Sequence, residues 1–203
     1  MRILLDITHP AHLHFFRAAV AKLRGQGHEV RLTGRDKDVL LDLAARMDMR
    51  LETFGGAPRG LVGMASTLVG RQARLAGIAR DFRPDVMAGI GGTFVAFVGW
   101  CMRIPVLVFS DTESATLSNL ITYPFMTRLC TPRSYGRPDR PDQVRYAGYH
   151  ECAYLLPEVF TPDPTVRDEL GVDEGEPYCI VRFVGWGAGH DLGRKGLTQE
   201  RQL

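Results

Sequence analysis

Short apolar runs alternate along the chain with longer stretches in which apolar side chains recur every three or four positions. The runs Ile3–Leu5, Val30–Leu32, Leu51–Phe54, Val86–Ala88, Pro105–Phe109, Leu129–Cys130 and Val144–Tyr146 are too short for helices and predict strands. Leu13, Phe16, Val20 and Leu23 follow spacings of 3, 4 and 3, which predicts an amphipathic helix closed by Gly25 and Gly27. Further helices are predicted over Val39–Met47, from about Val62 to Phe82, over Phe94–Cys101 and near Ser114–Ile121. Strand and helix in alternation is the pattern of a parallel sheet with crossover helices, so the expected fold class is α/β, a Rossmann-like doubly wound sheet.

The alternation stops near residue 156. Pro157, Pro162, Pro164 and Pro177 stand among acidic residues there, around a short helix expected near Thr165–Leu170. The domain reading is therefore a complete domain over 1–156, a linker over 157–177, and an incomplete second domain over 178–203. That last part holds one expected strand, Tyr178–Phe183, and a glycine-rich loop containing Gly185, Trp186, Gly187 and His190. A βαβ unit needs roughly 30 residues or more to bury its faces, so this part reads as a truncated domain.

Composition removes several function classes. With 203 residues, 45% hydrophobic and 24% charged, the chain is neither disordered nor fibrous. The net charge of +2 is too small and too scattered for a nucleic-acid partner. Cys101, Cys130, Cys152 and Cys179 form no close pair, so no metal site is expected, and no cofactor either. Met1-Arg2-Ile3-Leu4-Leu5 runs straight into the charge of Asp6, which leaves no signal-peptide core and points to the cytoplasm. Val86–Met102 is uncharged but short of the ~20 residues of a membrane span, and glycines interrupt it.

In open α/β sheets ligands sit beyond the carboxyl ends of the strands, so candidate chemistry is sought there. After the first strand come His9 and His12 at a helix start, whose dipole disfavours a charged imidazole and suits His12 to act as a general base. After the fourth come Gly91, Gly92 and Thr93, where glycines would let a phosphate approach the backbone. After the fifth come Asp111 and Glu113, with Glu113 favoured to face the ligand; Asp111 or Thr112 could instead cap the next helix. His150 and Glu151 follow the last strand, facing the cleft or bracing the linker. Arg71 sits in the middle of the apolar stripe Met64, Leu68, Leu75, Ile78 and Phe82. A lone guanidinium cannot be buried there, so Arg71 either pairs with an acid or binds a substrate anion.

Several of these segments resemble a known family. His9-Pro10-Ala11-His12 through Gly27-His28-Glu29-Val30, then Arg83-Pro84-Asp85-Val86, Gly91-Gly92, Ile104-Pro105, Asp111-Thr112-Glu113, Gly148-Tyr149-His150-Glu151 and Phe160-Thr161-Pro162-Asp163, look like domain-of-unknown-function family 354. That family resembles GT-B proteins, namely the N-acetylglucosaminyltransferase of peptidoglycan lipid intermediates and the UDP-N-acetylglucosamine epimerase. The resemblance implies the N-terminal half of a GT-B architecture, with His12 and Glu113 catalytic. His9, Arg71, Gly91, Gly92, Thr93, Asp111, His150 and Glu151 would bind substrate, and Gly185, Trp186, Gly187 and His190 would be the remnant of a nucleotide loop. The partner would be a nucleotide sugar or glycan acceptor, with peripheral membrane contact or self-association left open. The expected function is polysaccharide or cell-envelope synthesis, with the chain inactive alone. A non-catalytic binding module and a nucleotide-sugar epimerase are the alternatives.

Overall fold

The computed structural model describes residues 1–34, 39–54, 60–173 and 175–181, the side chains of residues 60–68 excepted. Seven strands, β1 (Arg2–Ile7), β2 (Glu29–Gly34), β3 (Leu51–Thr53), β4 (Val86–Ile90), β5 (Val106–Phe109), β6 (Arg128–Pro132) and β7 (Gln143–Tyr146), form one sheet in the order β3-β2-β1-β4-β5-β6-β7. Every pairing is parallel. The fold is thus a Rossmann-like α/β sheet. Strand order reverses between β1 and β4, and in open parallel sheets ligands bind beyond the carboxyl ends of the strands at such a point.

Helices α1 (Pro10–Gly25), α2 (Leu40–Arg46), α3 (Gly60–Phe82), α4 (Thr93–Met102) and α5 (Thr116–Thr122) provide the crossovers. Successive side chains of β1 point to opposite faces, and two cores follow from that. Ile3, Leu5 and Ile7 pack with Leu13, Phe16 and Val20 of α1 and Leu40 and Ala44 of α2. Leu4 packs on the other face with Leu75, Ala79 and Phe82 of α3 and Val95, Ala96 and Val98 of α4. Burying these side chains contributes roughly 25 cal/mol per Å² of apolar surface, the main favourable term for the sheet.

The buried stripe of α3 runs Arg71, Leu75, Ala79 and Phe82, so Ala79 takes the turn expected of Ile78, which is half-buried. Arg71 is 5% exposed and reaches Asp6 of β1, with its Nη2 3.0 and 3.2 Å from the two carboxylate oxygens. Thr33 of β2 donates its hydroxyl to the same carboxylate at 3.0 Å. Burial pushes the Asp6 carboxyl above its ordinary value, and Arg71 and Thr33 pull against that rise. Arg71 Nε has no hydrogen-bond partner, but the guanidinium stands 4.1 Å over the Phe94 ring. Of the two roles open to Arg71 from sequence, the structure contains the ion pair.

The chain divides into two units, Met1–Val159 and Phe160–Leu203. The first also holds α6 (Cys152–Leu155), and the second holds α7 (Thr165–Glu169), at whose start Asp163 accepts from the Thr165 amide and hydroxyl. Tyr178–Val181, expected to open a strand, has no strand geometry. The remainder of that expected strand and the residues Gly185, Trp186, Gly187 and His190 lie outside the described residues.

The Asp6–Arg71 pair gives the first testable outcome. Arg71→Met strands a buried carboxylate and is expected to cost about 3–5 kcal/mol of stability, as for other broken buried pairs. Replacing both partners with apolar residues (Asp6→Leu with Arg71→Met) should recover most of that loss in urea unfolding. An Arg71→Met variant as stable as wild type would show that the pair contributes nothing.

Candidate functional site

Because β1, β4, β5 and β7 all run the same way, the loops that follow them open on one rim. The first loop turns into α1, and His9 is the residue that caps it. Its Nδ1 accepts from the Ala11 amide at 3.2 Å, with Pro10 in the first helical turn. His12 lies one turn further on. Its Nδ1 accepts from the Thr8 amide at 3.3 Å, so the proton of the neutral ring belongs on Nε2. Burial, then the nearby His9 and His150, lowers the His12 pKa from 6.5 to about 4, with Asp111 opposing. His12 is thus a neutral N–H donor at physiological pH.

The second loop, after β4, holds two left-handed residues, Gly91 at φ 67° and Gly92 at φ 58°. Gly92 caps α4, and a Cβ there would lie 2.7 Å from Val108 Cγ2, so only glycine fits. Thr93 is engaged with α5, its hydroxyl 3.0 Å from that of Thr122 and 3.3 Å from that of Ser118. The loop therefore presents backbone to the rim while its first helical side chain joins two helices.

The third loop, after β5, carries two carboxylates with different surroundings. Asp111 Oδ2 lies 3.0 Å from His150 Nδ1, and that contact is the main reason its pKa falls from 3.8 to about 2. Glu113 is held elsewhere. Its carboxylate accepts from the Gly136 amide at 3.0 Å and its carbonyl from Arg137 Nε at 2.9 Å. These contacts bind Glu113 to the loop after β6, whereas Asp111 faces the histidines. Neither Asp111 nor Thr112 caps α5, whose cap residue is Ala115, without a side-chain hydrogen bond.

His150, after β7, is 8% exposed. Its ring centroid lies 4.7 Å from that of Phe15, and it stacks on Tyr146 at 6.4 Å with 12° between planes. Its Nε2 is buried without a hydrogen-bond partner, and so is the Tyr146 hydroxyl. Glu151 is exposed and forms the cap position of α6 without a side-chain bond. The structure thus gathers His9, His12, Asp111 and His150, ties Glu113 and Thr93 into neighbouring segments, and sets Arg71 against Asp6. The Asp111–His150 pair and Tyr146 were missed from sequence, because the loops that bring them together are separated by β6 and carry no common spacing.

Comparison with known proteins agrees with this fold. The family model described as "Protein of unknown function (DUF354)" matches residues 1–156. An uncharacterised protein of Methanocaldococcus jannaschii is 22% identical over 189 residues, covering 88% of this chain and 54% of that protein. The UDP-N-acetylglucosamine–N-acetylmuramyl-(pentapeptide) pyrophosphoryl-undecaprenol N-acetylglucosamine transferase of Legionella pneumophila (strain Corby) is 35% identical over 80 residues, 36% of this chain and 22% of the transferase. Among solved structures, MurG of Acinetobacter baumannii superposes with a TM-score of 0.60 at 15% identity, covering 71% of this chain and 45% of MurG. A UDP-N-acetylglucosamine 2-epimerase gives a TM-score of 0.62 at 10% identity, with 84% and 55% coverage. The chain spans about half the length of these structures and of the archaeal relative. Among the described residues no helix is long and apolar enough to cross a membrane.

The titrations at the rim fix a pH dependence. His12 has a folded pKa below its unfolded one, so the unfolded chain binds the extra proton and stability falls as pH drops from about 6.5 to about 4. Asp111, also depressed, adds a further loss between about 3.8 and about 2. Denaturant unfolding across pH 4–7 should show the first loss, and His12→Asn should flatten it. An unchanged slope in His12→Asn would remove His12 as its source.

Proposed function

This chain belongs to the DUF354 family, and from that premise we propose that its rim binds the hydroxyl-bearing acceptor of a nucleotide-sugar-dependent glycosyl transfer. The carrying observation is the convergence of His12, Asp111 and His150 beside the glycine-opened start of α4, at the point where strand order reverses. A sugar acceptor needs a donor and an acceptor placed around its hydroxyls, and this rim offers the neutral His12, the His150 ring and a carboxylate. A helix N-terminus such as that of α4, opened by a glycine turn, would suit the departure of a diphosphate by stabilising its negative charge.

Two comparisons support the sugar-nucleotide part of the reading. One named relative transfers N-acetylglucosamine, and a rhamnosyltransferase of the same fold was solved with thymidine diphosphate, at a TM-score of 0.54 and 16% identity. The epimerase likeness, which covers 84% of the chain, favours a second reading: rearrangement of the nucleotide sugar itself.

One experiment separates them. The full chain is incubated in D2O with UDP-N-acetylglucosamine, with and without a panel of glycan acceptors, and followed by NMR. Acceptor-dependent release of UDP supports transfer. Deuterium at C2 of a new epimer, without UDP release, replaces transfer with epimerisation. Absence of both products, together with no saturation transfer to the sugar or acceptor protons, overturns the sugar reading.

A further inference from the structure

Within the rim, one pair of atoms is left in a state that physical chemistry does not favour. His150 is more than nine-tenths buried, and its Nδ1 is committed to Asp111 at 3.0 Å. The Asp111 carboxylate accepts from Nδ1, so that nitrogen carries a proton, and in the neutral ring Nε2 presents its lone pair. That lone pair has no hydrogen-bond partner, and the hydroxyl of Tyr146, on the ring stacked against it, has none either. Leaving a buried polar atom unpaired is costly, and here two such atoms stand on stacked rings beside the histidine cluster of the rim. A hydroxyl satisfies both requirements, since it donates to a lone pair while accepting from a phenol.

We propose that His150, with Asp111 as its positioning residue, is the base that takes the proton of the acceptor hydroxyl. His12 is not that base, although its position at the start of α1 suggests it. Its Nδ1 accepts from the Thr8 amide, which leaves an Nε2–H that can donate but cannot take a proton. The two histidines thus present opposite faces of the same chemistry, one lone pair and one N–H. Phe15, packed against the His150 ring, excludes water from one side and keeps the imidazole in the orientation Asp111 selects. Glu151, next in sequence, is exposed and makes no contact with the ring that would compete with Asp111.

The inference rests on the transfer reading above. In the step it describes, the acceptor oxygen forms a bond to the anomeric carbon of the nucleotide sugar. The bond from that carbon to the diphosphate breaks, and its electron pair leaves on the diphosphate. The hydroxyl proton passes to His150 Nε2, and Asp111 stabilises the imidazolium so formed. Tyr146 binds the acceptor oxygen without exchanging a proton, because burial, the largest cause, raises its phenol pKa well above the ordinary value.

The test has two arms on the full chain. Imidazole nitrogen-15 NMR reads the tautomers without substrate: the proton of His150 is expected on Nδ1 and that of His12 on Nε2. Kinetics then compares His150→Gln, Asp111→Asn and Tyr146→Phe with wild type. His150→Gln should lower kcat by roughly 100- to 10,000-fold, the range of general-base loss, with KM little changed. Asp111→Asn should lower kcat and also shift the His150 tautomer, which a merely structural carboxylate would not do. Tyr146→Phe should raise KM more than it lowers kcat. A His150 proton on Nε2 overturns the inference whatever the activity, and so does an active wild type that His150→Gln leaves within twofold. A wild type with the expected tautomers that neither binds nor consumes nucleotide sugar instead overturns the transfer reading, and the catalytic role with it.

Discussion

Seven strands hydrogen-bonded in one direction constrain everything else in the first unit. A parallel strand cannot be reached by a tight turn, so the chain must cross back over the sheet each time, through a helix or a longer loop. Every loop that leaves a strand therefore leaves at the same rim, whatever its sequence. β1 occupies the middle of the sheet, with β2 on one side and β4 on the other, and supplies side chains to both cores. The Asp6–Arg71 pair ties the end of that central strand to α3 immediately below the rim. Precision at the site is inherited from there: the start of α1 follows Asp6 by four residues and cannot move without moving β1.

The electrostatics of the rim come from too many imidazoles around too little negative charge. Three histidines, His9, His12 and His150, share the neighbourhood of a single facing carboxylate, Asp111. The carboxylate can serve one ring well, and geometry gives it to His150. His12 is left with burial and two neighbouring imidazoles, all of which disfavour its protonation. His9 directs its Nδ1 to the backbone of α1. Residues of one type are thereby sorted into a helix cap, a neutral donor and a carboxylate-paired acceptor, by partners rather than by intrinsic chemistry.

Much of the fold was legible because its signals are local. The spacing of Leu13, Phe16 and Val20 records the face of α1 that packs on β1, and all three are buried. The anomalous position of Arg71 was equally readable, since a helical stripe shows where a charge is out of place. Which acid would answer it was not, because Asp6 lies 65 residues away and only the register of β1 beside α3 brings them together. The site was legible as a set of strand ends and not as a set of contacts. Asp111 and Glu113 differ by two positions in sequence, and nothing local says that one would meet His150 while the other joined Gly136 and Arg137. Tyr146 read only as the end of a strand, because its orphaned hydroxyl exists only once α1, β7 and the loop carrying His150 have assembled around it.

Asp6–Arg71 and Asp111–His150 invite the same question and answer it differently, the first buried on both sides and the second only at the histidine. Arg71 meets both oxygens of Asp6 through Nη2, and its guanidinium, whose Nε has no hydrogen-bond partner, lies over Phe94, a favourable contact for a cation. That arrangement supports the fold. Asp111–His150 is half complete: the carboxylate fixes one nitrogen and leaves the other facing an equally unanswered phenol. Folding tolerates such a deficit only when the surrounding packing is strong enough to hold it, which the Phe15, Phe16 and Phe109 cluster provides here. The unpartnered Nε2 of His150 is the atom to which the proposed acceptor hydroxyl would donate.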